Sequence, residues 1–256
     1  MKNRSQTVSV VVIAHDHVQV LDRALSSVTW ADEVIVLDRG STDGTLEIAQ
    51  RFTRKIHFHP SPHKQRLMMY GCELATSEWI LYLEPHEWVE EMLKHEIDGI
   101  LLNTPEAVTG YRIPMHLIFQ NDHVRHGGSL PTHAVRLFRK NGVQILGDAD
   151  DHSIRATGQV RTLDHAIATE PFRDIHEIFE AANFRASLGA LRRLEAGQCA
   201  KGLKGVIGLL WAIKWTFIRQ YFLGMGFMDG IRGLTFALAG AYEEFLIHAK
   251  FRALTT

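Results

Sequence analysis

The fold of this chain of 256 residues is decided by the stretch Val34-Ile-Val-Leu-Asp-Arg-Gly-Ser-Thr-Asp-Gly-Thr45. The apolar run 34–37 predicts a buried strand that ends at Asp38. A turn with two glycines follows, and residues 45–52 carry apolar side chains at helical spacing. In an open α/β sheet, ligands bind beyond the carboxyl ends of the strands, so Asp38 is a candidate site residue. The alternative is that Asp38 only stabilises a tight turn.

The same alternation of strand and helix extends on both sides of this stretch. Residues 8–14 are nearly all apolar, as in strands that are covered on both faces, and residues 18–28 predict a helix. Residues 79–83 predict another buried strand, which ends in the ionisable cluster Glu84-Pro-His-Glu87. This order of elements predicts an α/β fold with a mainly parallel sheet flanked by helices over residues 1–170.

The C-terminal third has a different character. From Asp174 onward, apolar side chains recur at helical spacing, which predicts a helical C-terminal extension over residues 171–256. Residues 205–218 are apolar and place Trp211 and Trp215 four positions apart, with lysine and arginine at the edges. This pattern is typical of a helix that lies in the membrane interface. It also fits a helix buried against the first domain or against a second subunit.

Composition argues against several classes of protein. The 28 basic and 29 acidic residues are nearly balanced and no basic block stands out, which argues against nucleic acid as a partner. Cys72 and Cys199 lack metal-site spacing and suggest no disulfide scaffold, so a reducing, cytoplasmic location is expected. The chain contains no uninterrupted run of about 20 apolar residues, which is the length that predicts a transmembrane helix.

A series of motifs follows one another in a characteristic order. In chain order they are Val8-Ser-Val-Val-Val-Ile13, Ser27-Val-Thr-Trp-Ala-Asp-Glu-Val-Ile-Val36, Asp38-x-Gly-Ser-Thr-Asp-Gly-Thr45, Lys64-Gln-Arg66, Ala75-Thr-x-x-Trp-Ile-Leu81, His126-Gly-Gly128 and Arg136-Leu-Phe-Arg139. Together they resemble the family 2 glycosyltransferases with the GT-A fold, above all the branch that builds lipopolysaccharide core and related cell-surface glycans. The resemblance is strong over residues 7–90, weaker up to residue 165, and loose in the C-terminal third.

The resemblance implies a GT-A catalytic domain over residues 1–170 that uses a nucleotide-sugar donor. It further implies a divalent metal, Mn or Mg, on the donor diphosphate, and transfer with inversion to a glycan or lipid-linked acceptor. The donor-binding residues that it implies are Ala14, Asp16, Asp38, Gly40, Lys64, Arg66, Glu84 and Arg136. Lys64 and Arg66 would neutralise the charge that develops on the leaving diphosphate. For Arg136, a purely structural ion pair is an equal alternative.

The predicted metal site departs from the family pattern. The metal motif of the family reads Asp-Ala-Asp-Glu, whereas this chain has Glu84-Pro-His-Glu87. We predict that Glu84, His86 and Glu87 act as metal and donor ligands. His86 stands where a carboxylate is usual, and imidazole binds Mn, Zn, Fe or Ni but suits Mg poorly.

The sequence leaves two candidates open for the general base and two for the biological role. Asp150 or Asp151 would take the proton from the acceptor hydroxyl, since the family has an acid near this position. One interpretation is a working glycosyltransferase of lipopolysaccharide or cell-envelope glycan biosynthesis. The other is a GT-A protein that has lost turnover and serves as a nucleotide-sugar-binding or scaffolding subunit. Because the implied acceptors are lipid-linked, we favour peripheral contact at the inner face of the cytoplasmic membrane for the C-terminal region.

Overall fold

The structure is a computed structural model that describes residues 6–127, 133–146, 153–197 and 202–255. The chain forms two compact units. The first comprises residues 1–116 and 132–171, and the second comprises residues 117–131 and 172–256. The segment 117–131 therefore belongs with the C-terminal helices, which its sequence did not indicate. The division into domains at residues 1–170 and 171–256 stays a prediction.

The main sheet is mostly parallel in its first half. The strands among the described residues are β1 (Val8–Ala14), β2 (Glu33–Asp38), β3 (Ile56–Phe58), β4 (Trp79–Leu83), β5 (Glu87–Val89), β6 (Val108–Phe119), β7 (Asp122–Val124), β8 (His133–Arg139), β9 (Val143–Leu146), β10 (Ser153–Ala156), β11 (Gln159–Thr162) and β12 (Ile167–Thr169). Eight of them lie in the main sheet in the order β3-β2-β1-β4-β8-β6-β12-β5, β7 and β11 each pair with β6, and β9 and β10 form a separate two-stranded sheet. Neighbours from β3 to β4 run parallel, whereas β8 is antiparallel to both β4 and β6.

Helices follow the parallel strands and then form the C-terminal region. They are α1 (Leu21–Ser26), α2 (Thr45–Phe52), α3 (Lys64–Leu74), α4 (Glu91–Leu102), α5 (Ile175–Glu195), α6 (Gly202–Ile218) and α7 (Gly230–Thr255), with a π-helix (Arg219–Leu223) and a 3-10 helix (Gly226–Asp229) between the last two. The predicted α/β fold with a mainly parallel sheet, flanking helices and a helical C-terminal extension is confirmed.

The strand β1 is buried on both faces. Val10 and Val12 belong to the core cluster that includes Leu21 of α1. Val11 packs on the opposite face, in the cluster that includes Leu67 of α3. Successive side chains of a strand point to opposite faces, which explains why this strand is almost continuously apolar.

The helix after β1 covers residues 21–26 instead of the predicted 18–28. The backbone N–H of His17 donates to Oγ1 of Thr45 at 2.8 Å, and the N–H of Val18 donates to Oδ2 of Asp43 at 3.0 Å. These bonds direct the backbone of residues 17 and 18 towards the next loop, so the helix begins only after them.

The strand register brings the ends of three strands to one edge of the sheet. Ala14 at the end of β1 lies opposite Asp38 at the end of β2. On the other side of β1, Val12 lies opposite Leu83, the last residue of β4, so Glu84 follows at the same edge. This is the edge at which open α/β sheets bind ligands.

The second unit is organised around the helix pair α5 and α7. Alanines recur every four positions on the buried face of α5, at Ala182, Ala186 and Ala190. A Cβ added to Gly189 would lie 3.1 Å from the side chain of Ile247, so the two helices approach closely there. An ion pair of 2.8 Å between Arg193 and Glu244 also joins them. No helix among the described residues is long and apolar enough to cross a bilayer.

Candidate functional site

Two loops at the carboxyl edge of the sheet are joined by reciprocal hydrogen bonds. Asp16 lies in the loop after β1, and its Oδ1 accepts from the N–H of Thr42 at 2.7 Å. In return, Oδ2 of Asp43, in the loop after β2, accepts from the N–H of Val18 at 3.0 Å. Asp43 also accepts from the N–H of Thr45 at 3.0 Å, in the first turn of α2. The hydrogen bond from Thr42 is the main reason why the pKa of Asp16 is lowered.

Asp38 is buried at the end of β2, and its carboxylate is engaged by the turn that follows. Its Oδ2 accepts from the N–H of Gly40 at 2.9 Å, and its Oδ1 accepts from the hydroxyl of Ser41 at 2.5 Å. Gly40 has a φ of +101°, which glycine adopts without the strain of a side chain. Beside it, the carbonyl of Ala14 accepts from the N–H of Arg39 at 3.0 Å. Asp38 therefore stabilises its own turn, and its contact with a donor stays a prediction.

Glu84 follows β4 and shares its carboxylate between Lys64 and Tyr82. Nζ of Lys64 lies 3.2 Å from Oε1 and 3.2 Å from Oε2 of Glu84. The hydroxyl of Tyr82 donates to Oε1 at 2.8 Å. Burial, and next the negative charge of Glu84, raises the pKa of Tyr82 well above its usual value, so the phenol keeps its proton. The side chain of Lys64 is 36% exposed and that of Glu84 is 9% exposed, so the lysine is the solvent-accessible member of the pair.

Glu87 and Arg136 form a buried ion pair. Nη2 of Arg136 lies 2.8 Å from Oε1 of Glu87, and the two side chains are 10% and 1% exposed. Oε2 of Glu87 accepts from the N–H of Glu84 at 2.9 Å. Although burial acts to lower it, the carboxylates of Glu87 and Glu84 raise the pKa of Arg136, which therefore stays charged. These contacts agree with the structural alternative for Arg136, and its contact with a donor stays a prediction.

Two histidines stand beside this cluster as neutral rings. Burial lowers the pKa of His86 to about 4, although the charge of Glu84 acts to raise it. Burial also lowers the pKa of His17, whose Nδ1 accepts from the N–H of His15 at 3.0 Å and so leaves the ring proton on Nε2. The charges of Lys64 and Glu84 act on both rings.

The predicted metal ligands Glu84, His86 and Glu87 are not assembled into a metal site. Within the part of the chain that the structure describes, no three His, Cys, Asp or Glu side chains are grouped so as to hold a metal ion. The physical reason is that each carboxylate of the motif already has a basic partner, Lys64 for Glu84 and Arg136 for Glu87. The residues present do not fit a divalent cation, and the predicted Mn or Mg receives no support from them.

The structure shows no site contact for the remaining predicted residues that it describes. Arg66 is exposed in the first turns of α3. Asp150 and Asp151 lie outside the described residues, so the general base stays a prediction.

Tyr82 and His17 were not predicted as site residues. Tyr82 lies two positions before Glu84, and the alternation of side chains along β4 would have directed both to one face. The loop after the first strand usually carries Asn-Glu in the family, whereas this chain has Asp16-His17. That difference could have marked His17 as a candidate site residue.

Comparison with known proteins gives the family context. The sequence matches the family described as Glycosyl transferase family 2 over residues 9–154. It is 23% identical over 258 residues to a glycosyltransferase of Rickettsia felis, which covers 96% of this chain and 90% of the relative. It is also 23% identical over 255 residues to the lipopolysaccharide core biosynthesis glycosyltransferase LpsC of Rhizobium meliloti, covering 94% and 90% of the two chains.

A solved structure shares the fold. Glucosyl-3-phosphoglycerate synthase of Mycobacterium tuberculosis, in complex with Mn²⁺, uridine diphosphate and glucosyl-3-phosphoglycerate, is similar with a TM-score of 0.52. The two chains are 15% identical, and the match covers 78% of this chain and 84% of the other. Likeness at this level of identity shows the fold, and the predicted GT-A fold is confirmed.

Proposed function

This chain belongs to glycosyl transferase family 2, and we propose that it transfers a sugar from a nucleotide-sugar donor to an acceptor hydroxyl. The observation that carries the proposal is the group of Lys64, Glu84 and His86 at the strand edge that also presents Asp38. A fixed cation at this edge suits a ligand whose leaving group is a diphosphate. The proposed donor contacts are Ala14, Asp16, Asp38, Gly40, Lys64, Arg66, Glu84 and Arg136.

In the proposed reaction, the acceptor oxygen attacks the anomeric carbon of the donor sugar while the bond from that carbon to the β-phosphate oxygen breaks. Asp150 or Asp151 takes the proton of the acceptor hydroxyl. The leaving nucleoside diphosphate gains negative charge, and the ammonium group of Lys64 stabilises that charge. A single displacement of this kind inverts the configuration at the anomeric carbon.

The proposed acceptor is a lipid-linked glycan of the cell envelope. This choice is supported by the similarity to LpsC, which is a lipopolysaccharide core biosynthesis glycosyltransferase. It is also supported by the surface of the segment 210–231 in the second unit, which we call the apolar segment. Many of the large apolar residues in this segment are at least 48% exposed, namely Leu210, Trp211, Trp215, Phe222, Leu223, Met225, Phe227, Met228 and Ile231.

The charges around the apolar segment suit an anionic lipid surface. Lys214 and Arg219 are exposed within it. Between Glu195 and Asp229 the sequence contains four basic residues and no acidic one. Exposed tryptophans beside basic side chains are typical of peripheral contact with a membrane interface. We therefore include such contact in the proposed function.

Donor binding without turnover is the second candidate function. It is favoured by one observation, which is that Glu84 and Glu87 are both paired with basic side chains where the family has its metal motif. A chain of this kind would bind nucleotide sugars without transferring the sugar. It would act as a donor-binding or scaffolding subunit for a partner enzyme at the membrane. It would release no nucleoside diphosphate from any donor.

The experiment is a survey of purified full-length chain with UDP-, GDP-, dTDP- and CMP-linked sugars, with and without Mn and Mg, in the presence of a bacterial membrane lipid extract that supplies lipid-linked acceptor hydroxyls. The proposed function predicts release of free nucleotide from one donor class, loss of that release in Lys64→Ala, and its retention in Lys94→Ala. Lys94 is a matched control because it forms an ion pair with Glu91 on α4, away from the strand edge. Binding of a donor with no release would support the second candidate. Neither binding nor release with any donor would contradict both.

A further inference from the structure

We propose that the ammonium group of Lys64, held by Glu84, occupies the place of the divalent cation at the donor diphosphate, so that this chain binds its donor without metal. The inference rests on the proposed function and specifies how the donor is recognised. It starts from the disagreement between the family's metal requirement and the residues that this chain presents.

The first observation is the geometry of the Lys64–Glu84 pair. Nζ of Lys64 is equally distant, at 3.2 Å, from both carboxylate oxygens of Glu84. A carboxylate binds a divalent cation at about 2.0–2.6 Å through the same oxygens. A metal ion on Glu84 would therefore have to displace the ammonium group. The hydroxyl of Tyr82, 2.8 Å from Oε1, further fixes this carboxylate towards the protein.

The second observation is that the other ligands of the motif cannot complete a coordination shell. Both oxygens of Glu87 are in use, one by Arg136 and one by the N–H of Glu84, and the carboxylate is 1% exposed. His86 then contributes a single imidazole, which is a poor ligand for Mg. The described residues hold no group of three metal-binding side chains.

The third observation is the balance of charge. The carboxylates of Glu84 and Glu87 are matched one to one by Lys64 and Arg136. With both carboxylates matched, the cluster has no net negative charge that would attract a dication before the donor binds.

Within the part of the chain that the structure describes, the hydrogen bonds of Lys64 to Glu84 leave one of its donors for a ligand. An ammonium group carries three N–H donors, and two of them are directed at the oxygens of Glu84. The side chain is 36% exposed, so the third donor can reach an anion from solvent. Lys64 is also the first residue of α3, whose preceding residue His63 makes no side-chain cap. The positive end of the helix dipole therefore adds to the charge of the lysine at this point.

The test is titration calorimetry of the full-length chain with UDP, GDP, dTDP and CMP, first in EDTA and then with Mn. We expect one nucleotide to bind in EDTA with an affinity that Mn changes by no more than about twofold. Lys64→Ala is expected to weaken binding in EDTA by about tenfold or more, because it removes a charge-assisted hydrogen bond. Lys64→Arg should retain most of the affinity, and Lys94→Ala should match the unmodified chain.

The possible failures are distinguishable. Binding that requires Mn would overturn the metal-free site and leave the glycosyltransferase proposal standing. Metal-free binding that is equal in Lys64→Ala and Lys94→Ala would overturn the role of Lys64. Absence of binding to every nucleotide under both conditions would contradict the proposed function and this inference together. Thermal melting of Lys64→Ala in the same buffer checks that the variant is folded.

Discussion

Asp16 and Asp43 each accept a hydrogen bond from the loop that carries the other, at 2.7 Å from Thr42 and at 3.0 Å from Val18. The ends of β1 and β2 are therefore joined beyond the sheet as well as within it. A donor that lies across this edge would meet loops that are already ordered. Side chains that are already held by hydrogen bonds between the loops lose less conformational freedom when a ligand binds.

Replacement of Asp43 with alanine tests this connection. The N–H groups of Val18 and Thr45 lose their acceptor, and we expect the free energy of unfolding to fall by about 1–2 kcal/mol. Urea denaturation measures the change. Asp22→Ala is the control, because Asp22 is 53% exposed and pairs with Arg51 at the surface, and its effect should stay within about 0.5 kcal/mol. Equal losses in the two variants would argue against the loop connection.

The buried pair of Arg136 and Glu87 predicts strong coupling. Arg136→Met should lower the free energy of unfolding by about 3–5 kcal/mol, because it leaves the carboxylate of Glu87 buried without a cation. The double variant Arg136→Met/Glu87→Gln should recover at least half of that loss, since the amide oxygen can still accept from the N–H of Glu84. A double-mutant cycle in urea gives the coupling. Losses that simply add would mean that Arg136 is free for another role, such as the predicted donor contact.

His86 predicts a specific dependence of stability on pH. Its pKa is about 4 in the folded chain against an ordinary value of 6.5. Between these values the unfolded chain binds more protons, so the stability present above pH 6.5 is lost as the pH falls towards 4. The shift corresponds to about 3 kcal/mol.

We expect His86→Gln to flatten this dependence, as measured by urea denaturation in EDTA between the two pH values. His95→Gln is the control, because His95 is 65% exposed on α4. If His86→Gln followed the same pH profile as His95→Gln, the histidine would not be held neutral by burial.

The apolar segment predicts binding to anionic vesicles. In flotation with vesicles that contain phosphatidylglycerol, we expect most of the full-length chain to float, because exposed tryptophans enter the interface beside basic side chains. The double variant Trp211→Ser/Trp215→Ser should float several-fold less. Phe184→Ser is the control, since Phe184 is a comparably exposed aromatic on α5, outside the segment. If all of the protein stayed in the soluble fraction with and without anionic lipid, membrane contact would be ruled out.

The part of the fold that sequence predicts best is the parallel half of the sheet. The strands β1, β2 and β4 contain short apolar runs bounded by polar residues or turns, as is typical of strands that are buried on both faces. The membership of residues 117–131 in the second unit was not predicted. This membership depends on contacts such as the hydrogen bond from the N–H of His126 to Asp229, which is 103 positions away. Local sequence patterns contain no information about such distant contacts.

The meeting of the candidate residues at one edge of the sheet was predictable from sequence, but their charge pairing was not. The resemblance placed Lys64 and Glu84 near a donor, and the strand ends bring them together. It also predicted Glu84, His86 and Glu87 as metal ligands, because the motif stands where the family binds metal. Which basic side chain reaches each carboxylate is decided across 20 positions for Lys64 and Glu84 and across 49 for Glu87 and Arg136. A motif read along the chain carries no information about those partners.

Hydrogen exchange of the full-length chain, with and without the nucleotide sugar that it binds, tests whether this strand edge is the donor site. The donor site proposed here predicts slower exchange in the loops 15–20 and 39–44, in the first turn of α3 and at residues 84–87, with little change in α5 and α7. Donor binding that protected other segments and left these four unchanged would contradict the assignment of this strand edge as the donor site.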